Sequence, residues 1–274
     1  MKFERTWTGN WKNAFHGLRH PMESYARSDS QFGIAENDEW LTEVANEVIY
    51  SYNENPEDIF EAREDLYDKG ILRWGKYTAE YAFIGKNDLD LAQRMIKAGT
   101  PNDKFLRQIF VSVDITAPLY WWKEMDTYKV GTTANSTSTM HKLATTPITL
   151  TCFEIDDLNE WLELNGQPLN YGFENIIKYC EDLRQKYLET KDIRYWKELI
   201  RWLPESWLQT RTFTCNYSIL RNVVHWRKNH RLKYEWDSFI KWCKTLPYSE
   251  ELIFYNNGYD EKYKLHDLLS SKCN

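Results

Sequence analysis

Residues 202–236 read WLPESWLQTRTFTCNYSILRNVVHWRKNHRLKYEW, and their patterning decides the fold class. Residues 210–215 alternate and are partly β-branched, the pattern of a strand. Asn216-Tyr217-Ser218 is a capping cluster, after which Ile219, Leu220, Val223, Val224 and Trp226 recur at helical spacing. Leu203-Pro204 breaks the chain just before this strand–helix block. A last helix is predicted over residues 234–246, carrying Trp236, Phe239, Ile240 and Trp242.

A second such block lies upstream. In residues 105–116, Ile109, Val111, Val113 and Ile115 alternate with Phe110, Ser112, Asp114 and Thr116, the period of a half-buried strand. Thr116-Ala117-Pro118 then opens a helix with Leu119, Tyr120, Trp121, Trp122 and Met125, and Pro118 is expected near its first turn. Residues 131–139 read as a small, hydroxyl-rich loop. Helices are also predicted within 37–83, from Asn87 or Asp88 to Gly99, and within 156–201. Residues 1–35 read as irregular, punctuated by Gly9, Gly17, Pro21 and Gly33.

Composition bounds the answer. The 274 residues contain 13 Trp, 18 Tyr and 12 Phe, enough ring surface for a substantial core and too much for a disordered chain. A mean hydropathy of -0.69 and 28% charged residues exclude an integral membrane protein. The net charge of -6 excludes a basic footprint for polymeric nucleic acid over the whole chain. Five scattered Cys without a C-x-x-C point away from a disulfide framework and from zinc. The first residues lack the apolar stretch of a secretory signal, so a cytoplasmic location is expected.

Three groups of residues could carry chemistry. The hydroxyls and backbone N–H groups of 131–139 suit a phosphate or carboxylate, or make an ordinary turn. Asn216, Asn222, His225 and Arg227 combine amides with a guanidinium, which suits a planar heteroaromatic ring, or form a solvated helix face. His16 and His20 stand at i, i+4, but Gly17 and Pro21 argue against a regular helix there, and no metal site is expected.

Two blocks resemble the flavin-dependent thymidylate synthases, also called thymidylate synthase complementing proteins. FLRQIFVSVDITAPLYWWKEMDTYKVGTTANSTSTMHKL at 105–143 is similar to the family's strand, Ala-Pro, helix and R-H-R-x7-S loop, and 202–236 to its Leu-Pro, strand and Asn-rich helix. The resemblance implies an α/β (α+β) fold with a central twisted antiparallel sheet flanked by helices. It makes 1–274 one domain with a helical insertion at about 34–83, assembled as a homotetramer with sites between subunits.

Carried over by position, Asn216 and Asn222 match the flavin-contacting Asn residues, and Arg227 the Arg that meets the pyrimidine. The R-H-R positions read Thr127, Tyr128 and Lys129, the active Ser is Thr137 with Ser138 beside it, and the phosphate-gripping Arg is Thr139. The Arg-Gln pair reads Lys123-Glu124, the flavin-side His is Gln108, and Arg19 matches an N-terminal Arg. The resemblance thus implies catalytic positions at Thr137 and Ser138. It implies flavin contacts at Asn216, Asn222, Lys129, Gln108 and Tyr128, and substrate contacts at Arg227, Lys123, Thr139 and Arg19. The implied reaction is methylation of a pyrimidine deoxynucleotide such as dUMP, with FAD, NADPH and methylene-tetrahydrofolate. The alternatives are a non-catalytic nucleotide-binding protein or a protein-interaction factor on the same scaffold.

Overall fold

The structure, a computed structural model, describes residues 1–35, 79–155 and 162–257. The insertion expected at about 34–83 lies outside the described residues except at its edges, as do Leu158, Trp161 and Cys273. In chain order the first elements are β1 (Lys2–Gly9), α1 (Trp11–Arg19), β2 (Gln31–Ala35), β3 (Ala79–Phe83), α2 (Lys86–Ala98), β4 (Phe110–Pro118) and α3 (Leu119–Met125). There follow β5 (Thr133–Ser136), α4 (Thr139–Thr145), β6 (Glu163–Leu164), β7 (Gln167–Pro168), α5 (Leu169–Thr190), α6 (Ile193–Trp202), β8 (Leu208–Asn216), α7 (Tyr217–Arg227) and α8 (Lys233–Lys244).

Four strands form an antiparallel sheet in the order β1-β4-β8-β5, flanked by helices. Side chains on β4 and β8 report the register: Thr116 faces Thr210, Asp114 accepts from Thr212, and Ser112 accepts from Thr214. One number falls as the other rises, which only antiparallel strands do. The alternate residues of β4, Val111, Val113, Ile115 and Ala117, are buried. Period-2 patterning therefore produces one apolar face and one hydroxyl-bearing face. β2 and β3 pair antiparallel by themselves, Gln31 opposite Phe83.

The chain divides into two compact units, the first of Met1–Thr6 and Val113–Phe213, the second of Trp7–Ser112 and Thr214–Asn274. In the first, Leu143, Ile148, Phe153, Ile177, Cys180, Leu183, Leu199 and Trp207 form one buried cluster. α5 and α6 make an antiparallel hairpin, with Tyr179 against Trp202 and Tyr187 against Trp196. In the second, Trp11 and Phe15 on α1 meet Tyr217 and Phe105 edge-on, and the Tyr217 hydroxyl donates to the Pro247 carbonyl at 2.6 Å.

Several boundaries differ from the sequence reading. Residues 1–35 hold β1 and α1. Arg5, at φ 53°, shifts the alternation of β1 by one residue and hides its period, as a bulge does. On α1, Trp11, Ala14, Phe15 and Leu18 form a buried stripe that Gly17 does not interrupt. The strand expected from residue 105 begins at Phe110, because Asn102–Gln108 forms a 3-10 helix that buries Phe105 and Leu106. Pro118 caps α3 from outside rather than occupying its first turn. α2 starts after Gly85, and the Asp29 carboxylate accepts from the Asn87 and Asp88 N–H groups as an imported cap. The 131–139 loop contains β5 and the start of α4.

Candidate functional site

Each unit carries part of the predicted constellation. In the first unit α3 leads into a tight turn. The Thr127 hydroxyl donates to the Glu124 carbonyl at 2.8 Å, and the Thr132 hydroxyl to the Tyr128 carbonyl at 2.9 Å. Tyr128 is half-buried and Lys129 exposed. Lys123, exposed on α3, pairs with Glu205 at 2.6 Å. The Thr137 N–H donates to the Thr210 carbonyl at 2.9 Å, which ties the end of β5 to β8. Ser138 caps α4 by accepting from the His141 N–H at 3.3 Å.

Two further residues, both on β8, organise this segment. Gln209 Nε2 donates to the Thr137 carbonyl at 2.9 Å and to Thr139 Oγ1 at 3.3 Å. Arg211 Nε donates to Gln209 Oε1 at 2.9 Å, its NH1 donates to Asp126 at 2.8 Å, and its guanidinium lies 4.3 Å from the Trp122 ring centre. A planar cation stacked on an indole and forked between an amide and a carboxylate is held on three sides. The signal was present: Gln209 and Arg211 share the alternating face of β8 with buried Phe213. The structure thus brings Thr137, Ser138 and Thr139 together on one framed segment.

In the second unit, Asn216 is 8% exposed and caps α7, its Oδ1 accepting from the Ile219 N–H at 3.1 Å. That leaves the Nδ2 donor of the same amide for another partner. The Tyr217 N–H donates to the Ile109 carbonyl at 3.1 Å, which sets the start of α7 beside the residue that follows Gln108. The Gln108 side chain lies against Gly17, where a Cβ would stand 3.0 Å from its Oε1. Asn222 is exposed, and Arg227 stacks on Trp236 at 4.9 Å. With a rise of 1.5 Å per residue, Asn216 and Arg227 stand about 16 Å apart along α7, and Asn222 is turned about 120° from Asn216 and about 140° from Arg227. Such a spacing suits an extended ligand or two ligands side by side. Arg19 is buried, donating to Asp88 at 2.6 Å and to the Arg27 carbonyl at 3.1 Å.

Three of the described thiols are poor nucleophiles. Burial pushes Cys180 up to about 11 and raises Cys215 and Cys243 further, so all three stay protonated at neutral pH. Among the described residues no group of three or more metal-ligating side chains gathers, and no helix is long and apolar enough to cross a membrane.

No protein family pattern matches the chain, and no curated protein does. Solved structures do. Thymidylate Synthase X (ThyX) from Helicobacter pylori, with FAD and dUMP, matches over 95% of this chain and 100% of its own, with a TM-score of 0.56 at 13% identity. The chain has the flavin-dependent thymidylate synthase fold. A second Helicobacter pylori structure, flavin dependent thymidylate synthase ThyX complexed with FAD and dUMP, reaches a TM-score of 0.44 at 14% identity over 81% of this chain and 95% of its own. A UMP/dUMP methylase, PolB from Streptomyces cacaoi bound with 5-Br UMP, reaches 0.45 at 12% identity over 84% and 96%. The fold implied by the two sequence blocks is the fold the thymidylate synthase comparison shows.

Proposed function

We propose that this protein binds a pyrimidine deoxynucleotide such as dUMP together with FAD and transfers a one-carbon unit to the pyrimidine ring. The observation that carries the reading is the thymidylate synthase fold over 95% of the chain; the resemblance of residues 202–236 assigns Asn216, at the cap of α7, and Asn222 and Arg227, on α7, to the family's positions. Arg227 supplies a fixed guanidinium fork for a ring carbonyl, and its stacking on Trp236 limits where that fork can point. Asn222 and the spare Nδ2 of Asn216, with Gln108, are neutral donors and acceptors matched to the edge of a flavin ring.

The donor set fits the flavin ring better than its phosphates. Where the family has two Arg and a His, this chain has Lys129 as the remaining cation of the turn, beside Thr127 and Tyr128. A point charge grips a diphosphate less firmly than a bidentate fork, so flavin binding is weaker and more salt-sensitive. When bound, FAD supplies the redox chemistry. Thr137, Ser138 and Thr139, framed by Gln209, present hydroxyls to the nucleotide, and Lys123 offers a charge at the surface. NADPH and methylene-tetrahydrofolate are the co-substrates of this reading, and a homotetramer with sites built from several copies is its assembly.

Calorimetry with dUMP on wild type and Arg227→Ala tests the assignment. Removing a charge-assisted donor is expected to cost about 1.5–3 kcal/mol of binding. Equal affinities would remove the pyrimidine site. A wild type that binds dUMP while never acquiring flavin absorbance would favour a nucleotide-binding protein over an enzyme.

A further inference from the structure

The exposed flank of α1 bears an arrangement that the proposed reaction does not use. His16 and His20 are both exposed, and their imidazole ring centres lie 4.9 Å apart. Sequence patterning disfavours a helix here, because Gly17 lies between the two histidines and Pro21 follows them. The structure shows otherwise. α1 is regular through Arg19, His20 keeps helical angles of φ -55° and ψ -44°, and Pro21 falls in the first turn of a following 3-10 segment, His20–Met22. The two side chains are therefore true i, i+4 neighbours on one helix face.

A single ring, Tyr25, orders both imidazoles. Its hydroxyl stands 2.6 Å from His20 Nδ1, and its face stacks on His16 with ring centres 4.8 Å apart and planes inclined by 21°. When His20 Nδ1 donates to the Tyr25 oxygen, its Nε2 carries the lone pair that can bind a metal. That is the usual second contact of a metal-bound imidazole, which fixes both tautomer and ring direction. The separation agrees as well. With metal–nitrogen bonds of about 2.0–2.1 Å, two imidazoles on one tetrahedral ion place their ring centres about 5 Å apart.

We propose that His16 and His20 form a two-imidazole site for a borderline divalent cation such as Zn2+, with Tyr25 as its positioning residue. Imidazole selects Zn2+, Cu2+ and Ni2+ over Mg2+ and Ca2+, which prefer oxygen. Among the described residues no third His, Cys, Asp or Glu joins the pair. The other coordination positions therefore fall to water or to an incoming ligand, and the bound ion stays exchangeable. The remaining described histidines are arranged otherwise. His225 Nδ1 lies 3.0 Å from the Asn257 carbonyl, His230 Nδ1 accepts from the Leu232 N–H at 3.2 Å, and His141 stands alone on α4.

Calorimetry of the full chain with zinc chloride, alongside electron paramagnetic resonance with one equivalent of Cu2+, tests the site. Wild type is expected to bind one Zn2+ and to give a copper spectrum with coupling to two imidazole nitrogens. His16→Gln and His20→Gln should each weaken zinc binding at least about tenfold and reduce the copper coupling to one imidazole nitrogen. Tyr25→Phe keeps the stacking and loses the hydrogen bond, for a loss of about tenfold. His141→Gln should bind as wild type does. Absence of zinc binding in wild type, or unchanged zinc affinity in both His16→Gln and His20→Gln, would overturn the proposal. The copper spectrum of the unmutated protein is an independent check, and coupling to a single nitrogen there would overturn it too.

Discussion

Asp88 is fully buried in the first turn of α2, accepting from Arg19 at 2.6 Å and from the Ser28 and Ser30 hydroxyls at 2.6 and 2.5 Å. Removing one member of a buried ion pair strands the other, at a cost of about 3–5 kcal/mol. Asp88→Ala should lower unfolding stability by that amount in urea titrations, while Arg19→Met combined with Asp88→Leu should recover much of it. A near-neutral Asp88→Ala would mean that the pair does not hold this part of the second unit. Glu181 makes a different case. Burial alone would raise its carboxyl, but hydrogen bonds from Arg184, the Ile148 N–H and Gln185, with the Arg184 charge, outweigh it and bring it to about 2. The folded value lies below the ordinary value of about 4.5, so the contribution is complete above about pH 4.5 and fades as pH falls towards 2. Glu181→Gln should therefore be less stable than wild type by about 1.5–3 kcal/mol at pH 7, with a narrower gap at pH 3. A gap of constant size between pH 7 and pH 3 would show that the depressed carboxyl is not its source.

At the scale of elements, β8 and α7 were legible because local pattern and tertiary role agree. Thr210, Thr212 and Thr214 point to one side and Phe213 to the other, and the Asn216 cap begins α7 where the capping cluster stands. β1 was illegible because a single left-handed residue, Arg5, breaks its alternation. The roles of Gln209 and Arg211 are hidden for another reason. Polar residues on a strand read as outward, and their inward role depends on Trp122, Asp126 and Thr137, which the sequence places far away. Arg19, which the resemblance assigns to the family's N-terminal Arg position, is paired with Asp88. Asn216 allows its two duties to be separated. Asn216→Asp keeps an oxygen for the Ile219 N–H and loses the Nδ2 donor, whereas Asn216→Ala loses both. Melting should show Asn216→Ala destabilised by about 1 kcal/mol and Asn216→Asp close to wild type. Flavin or dUMP binding should fall in both variants. Full binding by Asn216→Asp would confine Asn216 to its capping role.

For the whole molecule the open quantity is the number of chains in solution. Trp121 and Trp122 on α3 are both buried. Large aromatics remain outside: Trp226 is 67% exposed on α7 and Tyr234 56% exposed on α8. Trp and Tyr are the side chains that most often anchor interfaces, since each brings a large rigid surface with a polar tip. The proposed reaction needs the loop around Thr137 and the α7 residues to act on one nucleotide, and sites built from several copies are the assembly implied for it. Light scattering at micromolar concentration should accordingly give about four times the chain mass of 33.0 kDa. Trp226→Glu places a charge where an aromatic anchor is expected and should lower that mass while leaving the monomer folded, because the side chain is exposed. A wild-type mass of 33.0 kDa would rule out a site shared between copies, and with it the form of catalysis proposed here.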